Sequence, residues 1–405
     1  MGYLKDGVKA ISWMGGLRVT IRLISLFKIV ILARLLLPAQ FGIYGITSLV
    51  LAFLEIFTET GINVFFIQHQ KKINQFVDTA WVISIIRGFL IAFLVLLATP
   101  FVIHFFNAPE ARQLLRLISL VPVIRGFINP AIIKFQSKLQ FNKEYYFRST
   151  LVLIEVLTSI GFALILRSPV SLVYGLIASA IFEVGLSFYL SKPTPRFQFQ
   201  SKHFQSIFHT GKWMTAAGIF NYLFHQGDDI IVGRILSPNA LGLYQQAYKI
   251  SSLPISEVAD SFGKVTFPIY SKIAGDRQRL KKAFIQVSLG ISILVIPFGL
   301  LLFLFPKIII KILLGDNWLA AAPALKVLAV FGVIRAISGS ASALFLAVKK
   351  QQFVTMITFV SVLGLALSII PLVLRFGIVG AGYSAIIGSL AALPIILYYL
   401  VKVLK

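Results

Sequence analysis

The sequence contains no cysteine among its 405 residues, which removes disulfides, thiolate nucleophiles and Cys-ligated metals together. Acidic residues are scarce as well, 14 Asp and Glu against 38 Lys and Arg, for a formal net charge of +24. Charged residues make up only 13% of the chain, about half the share of a soluble domain. No Walker-type glycine loop and no cluster of His and carboxylates at metal-ligand spacing occurs, so neither ATP hydrolysis nor metal chemistry has a motif to rest on, and no cofactor is implied. Nothing reads as a cleaved signal, because Arg18, Arg22 and Lys28 interrupt the first apolar run and no short h-region precedes it. No connecting loop exceeds a few tens of residues, which leaves no room for a folded extramembrane domain.

What is present is apolar length. With 58% hydrophobic residues and a mean hydropathy of +0.89, the chain belongs in a bilayer. A span needs roughly 20 mostly apolar residues, and about twelve are read: near 11–36, 41–66, 78–103, 113–135, 147–166 and 169–190, then 211–236, 240–268, 283–306, 320–347, 353–374 and 378–401. The fold class is therefore an all-α polytopic membrane protein. Lys and Arg fall in short clusters between spans, which argues against nucleic acid as a partner. Alternate loops are richer in them: Lys5 and Lys9, Lys71 and Lys72, Lys138 and Lys143, Lys192 to Lys202, Lys272 to Lys282, Lys349 and Lys350, Lys402 and Lys405. The positive-inside rule makes those loops, and both termini, cytoplasmic.

The stretch from Ile29 to Gly45, IVILARLLLPAQFGIYG, recurs after a shift of two hundred as DIIVGRILSPNALGLYQ, Asp229 to Gln245. Arg34 falls on Arg234, Pro38 on Pro238, Gly42 on Gly242 and Tyr44 on Tyr244. Each copy ends an apolar run on Arg, turns on Pro and restarts after Gly, as two spans joined by a tight turn would. The chain reads as two related six-span halves, 1–195 and 206–405, around a polar linker at 191–205.

Ionisable residues inside spans are costly and so are functional candidates. Arg18 and Arg22 share a face of the first span; Arg87 lies in the third, Arg125 in the fourth within VIRG, and Arg335 in the tenth within VIRA. A planar fork of donors suits pyrophosphate, so these five are candidate ligands of an anionic headgroup. The competing reading pairs the cations with the acids Glu55, Glu59, Glu155, Glu183, Asp228, Asp229, Glu257 and Asp260. Glu257, Asp260 and Lys264 fit an internal ion-pair network. Asn221, His225, Asp228 and Asp229 fall on one stripe of the seventh span, where two carboxylates beside an imidazole suit a coupling proton or sodium ion, or helix-packing hydrogen bonds. Spans nine, eleven and twelve carry almost no charge and are expected to face lipid. Gly15, Gly16, Pro122, Pro130, Pro254 and Pro297 are candidate hinges.

At ARLLLPAQFGIYG after a basic first span, and again at LLGDNWLAAAPALKVLAVF from Leu313 to Phe331, the sequence resembles the polysaccharide-transport branch of the multidrug/oligosaccharidyl-lipid/polysaccharide (MOP) flippase superfamily. Within it the likeness is to Wzx-type oligosaccharide flippases, and it covers essentially the whole chain. The resemblance implies two six-helix bundles in a V around a cationic cavity. It also implies a polyprenyl-pyrophosphate-linked oligosaccharide as cargo, moved from the inner to the outer leaflet of the bacterial inner membrane without enzymatic chemistry. Many relatives carry two further C-terminal helices; the twelve spans read here leave any lipid-tail groove of those helices outside the expectation. The alternatives are a multidrug exporter of the same superfamily, which would want an acidic, aromatic cavity, and a polysaccharide polymerase or ligase, which would want a large external loop.

Overall fold

The computed structural model describes the backbone of residues 2–68 and 73–404, and side chains other than those at 2–11, 68, 205–217, 220, 224, 253, 254, 256, 257, 259–261, 264 and 265. Lys71 and Lys72 of the expected second cytoplasmic cluster, and the side chains of Lys5, Lys9, Pro254, Glu257, Asp260 and Lys264, lie outside the described residues.

The described chain is helical and contains no strand. Its order is α1 (Gly2–Leu35), α2 (Pro38–Phe57), α3 (Ile62–Gln68), α4 (Ile73–Phe105), α5 (Ala111–Ile118), α6 (Leu120–Gly126), a 3-10 turn (Pro130–Ile133), α7 (Lys134–Ser137), α8 (Phe141–Leu166) and α9 (Val170–Leu190). It continues with α10 (Ser201–Ile235), α11 (Pro238–Ile273), α12 (Arg277–Leu304), α13 (Pro306–Leu313), a second 3-10 turn (Asp316–Ala321), α14 (Ala322–Ala347), α15 (Gln351–Phe376) and α16 (Ile378–Leu404).

This is a multi-pass membrane protein. By length and apolarity eight described helices cross a bilayer, nine if the bent pair at 111–137 is one span. Three long helices fall outside that set: α1, α10 and α11, of 34, 35 and 36 residues. At about 1.5 Å per residue each is long enough to cross. They fail on composition, since they hold most of the polar and charged residues singled out above. In contrast α15 exposes Phe359, Leu363, Leu367, Ile370 and Leu374, a continuous apolar stripe for lipid.

The repeat is visible in the backbone. α1 stops at Leu35 and α2 starts on Pro38; α10 stops at Ile235 and α11 starts on Pro238. A residue before proline avoids the helical region, and both Leu37 (ψ 156) and Ser237 (ψ 166) are extended. Ser237 then accepts the Ala240 N–H and caps α11.

Two expected spans are corrected. The run read as one span over 41–66 breaks after Phe57, because Gly61 adopts a left-handed φ of +69 and the Glu59 carboxylate accepts the Gly61 N–H, ending α2 before α3. The run read as 113–135 is bent by 73° where Asn129 caps a turn begun by Pro130.

The chain divides into two compact units, Met1–Gly227 and Asp228–Lys405. The division falls inside α10, past the polar connector that the sequence marks as the joint. That connector is fastened to the first unit: Asn129 donates to the Ser191 and Pro193 carbonyls, Lys134 to the Lys192 carbonyl, and Asp78 accepts the Arg196 N–H at 2.7 Å. Phe197 packs on Trp81.

Within the first unit α4 crosses α6 at two glycines. A Cβ on Gly88 would stand 2.3 Å from the Pro122 carbonyl oxygen, and one on Gly126 2.9 Å from that of Ser84. Arg87 and Arg125 are their sequence neighbours, so this crossing sets where both guanidinium groups emerge. Overpacking costs about 1–3 kcal/mol, and Gly88→Ala is expected to lower the detergent-solubilised melting temperature by several degrees. An unchanged melting temperature would mean that α6 shifts aside without cost.

Candidate functional site

In the first unit the side of α1 that meets α8 carries Thr20, whose hydroxyl is 3.1 Å from that of Tyr145, and Lys28, ion-paired to Glu155 at 2.5 Å. At 100° per residue Arg18 and Arg22 stand on the other side of α1. Arg18 is exposed and makes no ion pair among the described residues; Arg22 is half-buried.

The other candidate cations are engaged. Arg87 of α4 donates to the Glu55 carbonyl at 2.5 Å and the Thr58 hydroxyl at 3.3 Å, and pairs with Glu59 at 3.4 Å. It thereby satisfies a carbonyl left open where α2 ends, and its charge suits that end of the helix dipole. Arg125 of α6 lies between Glu55 (3.8 Å) and Glu183 (3.5 Å), and Glu183 continues to Arg148 (3.5 Å) and on to Glu144 (3.0 Å). An alternating chain Glu55–Arg125–Glu183–Arg148–Glu144 therefore ties α2, α6, α9 and α8 together. Glu144, almost wholly buried, also accepts from Gln136. A buried carboxylate deprived of its cation is strongly destabilising, so these arginines hold the helices as well as supplying charge.

The second unit holds a different cluster. Tyr244 of α11 donates its hydroxyl to Asp228 of α10 at 2.7 Å, and Gln245 donates to Asp229 at 3.0 Å. Arg335 of α14 donates to the Tyr248 hydroxyl at 3.0 Å and packs over Phe331. The field of Arg335 reaches Asp228, and that of Lys249 reaches Asp229. Two adjacent carboxylates are thus held by neutral donors with the cations one step removed. Asn221 and His225 are exposed on α10 and belong to the first unit's stretch of that helix; Tyr222 between them anchors it through the Leu49 carbonyl at 2.7 Å. Among the described residues no three His, Asp or Glu gather as metal ligands.

Sequence reasoning missed Arg148 and Glu144, and no motif marks them. It also missed an inverted charge that the shift of two hundred carries. Lys28 falls on Asp228, and each lies beside the repeat's tyrosine: the field of Tyr44 reaches Lys28, and Tyr244 bonds Asp228.

Residues 31–323 match the model of a family described as polysaccharide biosynthesis protein. The chain is 23% identical over 360 residues to lipopolysaccharide biosynthesis protein WzxC of Escherichia coli (strain K12), covering 86% of this chain and 71% of that protein. Two solved structures share the fold. One is an inward-facing multidrug resistance MATE family transporter of the MOP superfamily, with TM-score 0.71 and 14% identity over 95% of this chain and 94% of the other. The second is lipid II flippase MurJ in its inward closed conformation, with TM-score 0.71 and 17% identity over 97% and 90%. At such identities the likeness is one of fold alone.

Proposed function

Because the chain belongs to the family of polysaccharide biosynthesis proteins, we propose that it is a flippase. It carries polyprenyl-pyrophosphate-linked oligosaccharide from the inner to the outer leaflet of the bacterial inner membrane, without enzymatic chemistry, for export of cell-surface polysaccharide. The observation that carries this reading is Arg18, an exposed guanidinium in a long, charge-interrupted helix of a membrane protein, uncommitted to any acid among the described residues, with Arg22 one turn on. A fork of donors replaces the hydration of a phosphate, and Arg125 adds positive charge from α6. Moving each negative headgroup charge outward across an inside-negative potential is favoured by about 2.3 kcal/mol per 100 mV. An exporter of organic cations would instead keep carboxylates open beside this helix, whereas in the first unit Glu55, Glu59, Glu155 and Glu183 are all ion-paired.

The test is translocation in proteoliposomes. The parent protein is expected to bring inner-leaflet polyprenyl-pyrophosphoryl oligosaccharide to the outside several-fold faster than protein-free vesicles do. A rate equal to that of empty vesicles would sink the reading, and uptake or release of ethidium in its place would favour the multidrug exporter.

Both termini are proposed to be cytoplasmic, on the strength of the alternating Lys and Arg clusters. The absence of native cysteine makes this easy to check. Lys311→Cys, between α12 and α14, is expected to react with an impermeant maleimide added to intact cells, and Arg277→Cys only after permeabilisation. The opposite pattern would invert the topology.

A further inference from the structure

Away from the charged clusters, α1 and α8 border an open cleft of about 390 Å³ lined by Ser12, Trp13, Gly16 and Tyr145. That volume is within the roughly 300–1,000 Å³ of small-molecule sites. Tyr146, exposed, completes an aromatic corner: Trp13 to Tyr145 at 5.3 Å and 61°, Trp13 to Tyr146 at 6.0 Å and 56°, Tyr145 to Tyr146 at 5.3 Å and 87°. The three contacts are edge-on or tilted, and no two of these rings are stacked face to face. Gly16 keeps the wall low, since even a Cβ there would lie 3.9 Å from the Tyr145 ring. The Thr20 hydroxyl, 3.1 Å from that of Tyr145, holds the ring in place.

We propose that this cleft is a saccharide subsite that seats one pyranose ring of the cargo glycan, with its C–H face against Trp13 and Tyr145 and its hydroxyls toward Ser12 and the tyrosine oxygens. The proposal rests on the transport reading above. A pyranose offers an apolar face and a polar rim, and Trp and Tyr offer an apolar body with a polar handle. A phosphate finds no cation among the described lining residues. An organic cation, the other guest of aromatic cages, finds no open carboxylate among the described residues: the adjacent Glu144 is buried and taken by Arg148 and Gln136. Arg18 and Arg22 are on the far side of α1, and a helix is about 10–12 Å across. The ring seated here is therefore one beyond the first sugar, with the pyrophosphate held across the helix.

The full-length protein in nanodiscs tests this with bare polyprenyl pyrophosphate and with three polyprenyl-pyrophosphoryl tetrasaccharides, of glucose, galactose and N-acetylglucosamine. The parent is expected to bind at least one glycosylated lipid more tightly than the bare one. Trp13→Ala with Tyr145→Ala should weaken that glycosylated lipid about tenfold and leave the bare lipid unchanged, while Trp13→Phe keeps most of the preference. Equal affinity of the parent for all four lipids overturns the subsite but leaves the flippase reading standing; binding of none overturns both. Equal weakening of all four by the double variant would make the corner an interfacial anchor, and competition by tetramethylammonium would make it a cation cage; either overturns the proposal.

Discussion

Replacing Arg18, Arg22 and Arg125 together by alanine is expected to stop export of lipid-linked glycan while the protein still inserts in the membrane. A hydrogen bond to a charged group contributes about 1.5–3 kcal/mol. Loss of two such contacts to the pyrophosphate therefore costs roughly 10²- to 10⁴-fold in transport. The three positions are not equivalent. Arg18→Ala uncovers no acid, since Arg18 makes no ion pair among the described residues. Arg125→Ala leaves Glu183, whose side chain is 11% exposed, with Arg148 as its remaining cation, and part of its effect will be on folding. The double change at 18 and 22 isolates substrate binding, and lysine at both should rescue only in part because it lacks the planar fork. Export at the parent rate by the triple variant, measured in proteoliposomes, would remove this site.

Asp228→Asn combined with Asp229→Asn is expected to abolish the response of translocation to an imposed ion gradient. The adjacent carboxylates repel each other, and a proton or sodium ion arriving between them relieves that repulsion. It also alters the bond to Tyr244, whose ring lies tilted 6.2 Å from that of Tyr248, the acceptor for Arg335. Occupancy is thus read by α10, α11 and α14 together, which gives an ion the differential contacts that coupling requires. For a proton antiporter, acid outside should speed outward movement of glycan, each pH unit adding about 1.36 kcal/mol of driving force. His225 and Asn221, one and two turns before Asp228 on α10, are the proposed approach for the ion. Tyr244→Phe keeps both carboxylates and should keep a response. If the parent answers neither a proton nor a sodium gradient, or the double variant keeps the whole response, the pair only locks α10 to α11, and its loss will show as a lower melting temperature.

The helices were legible where their signals are local. Proline at the start of α2 and α11, apolar length, and the shift of two hundred all act within a turn or two of the backbone, so the α1–α2 and α10–α11 corners follow from the residues themselves. Hydropathy failed at Thr58–Gly61 and at Asn129–Pro130, because averaging over some twenty residues hides a break of four. The polar connector at 191–205 read as a joint for the same reason: its composition is that of a loop, and nothing local says that Asn129, Lys134 and Asp78 hold it down.

By itself the sequence determined a helical membrane protein of two repeats, strongly basic, with arginines in its spans and a carboxylate pair at the end of its seventh long apolar run. Only the tertiary structure decided which of those charges are spent on one another. Lys28 meets Glu155, Arg125 meets Glu55 and Glu183, and Arg87 closes the end of α2, leaving Arg18 uncommitted among the described residues. The reason is one of range. Helical periodicity places a side chain on a face through neighbours three and four residues away. An ion pair depends on which faces meet, and here the partners are separated by as many as 127 residues of chain.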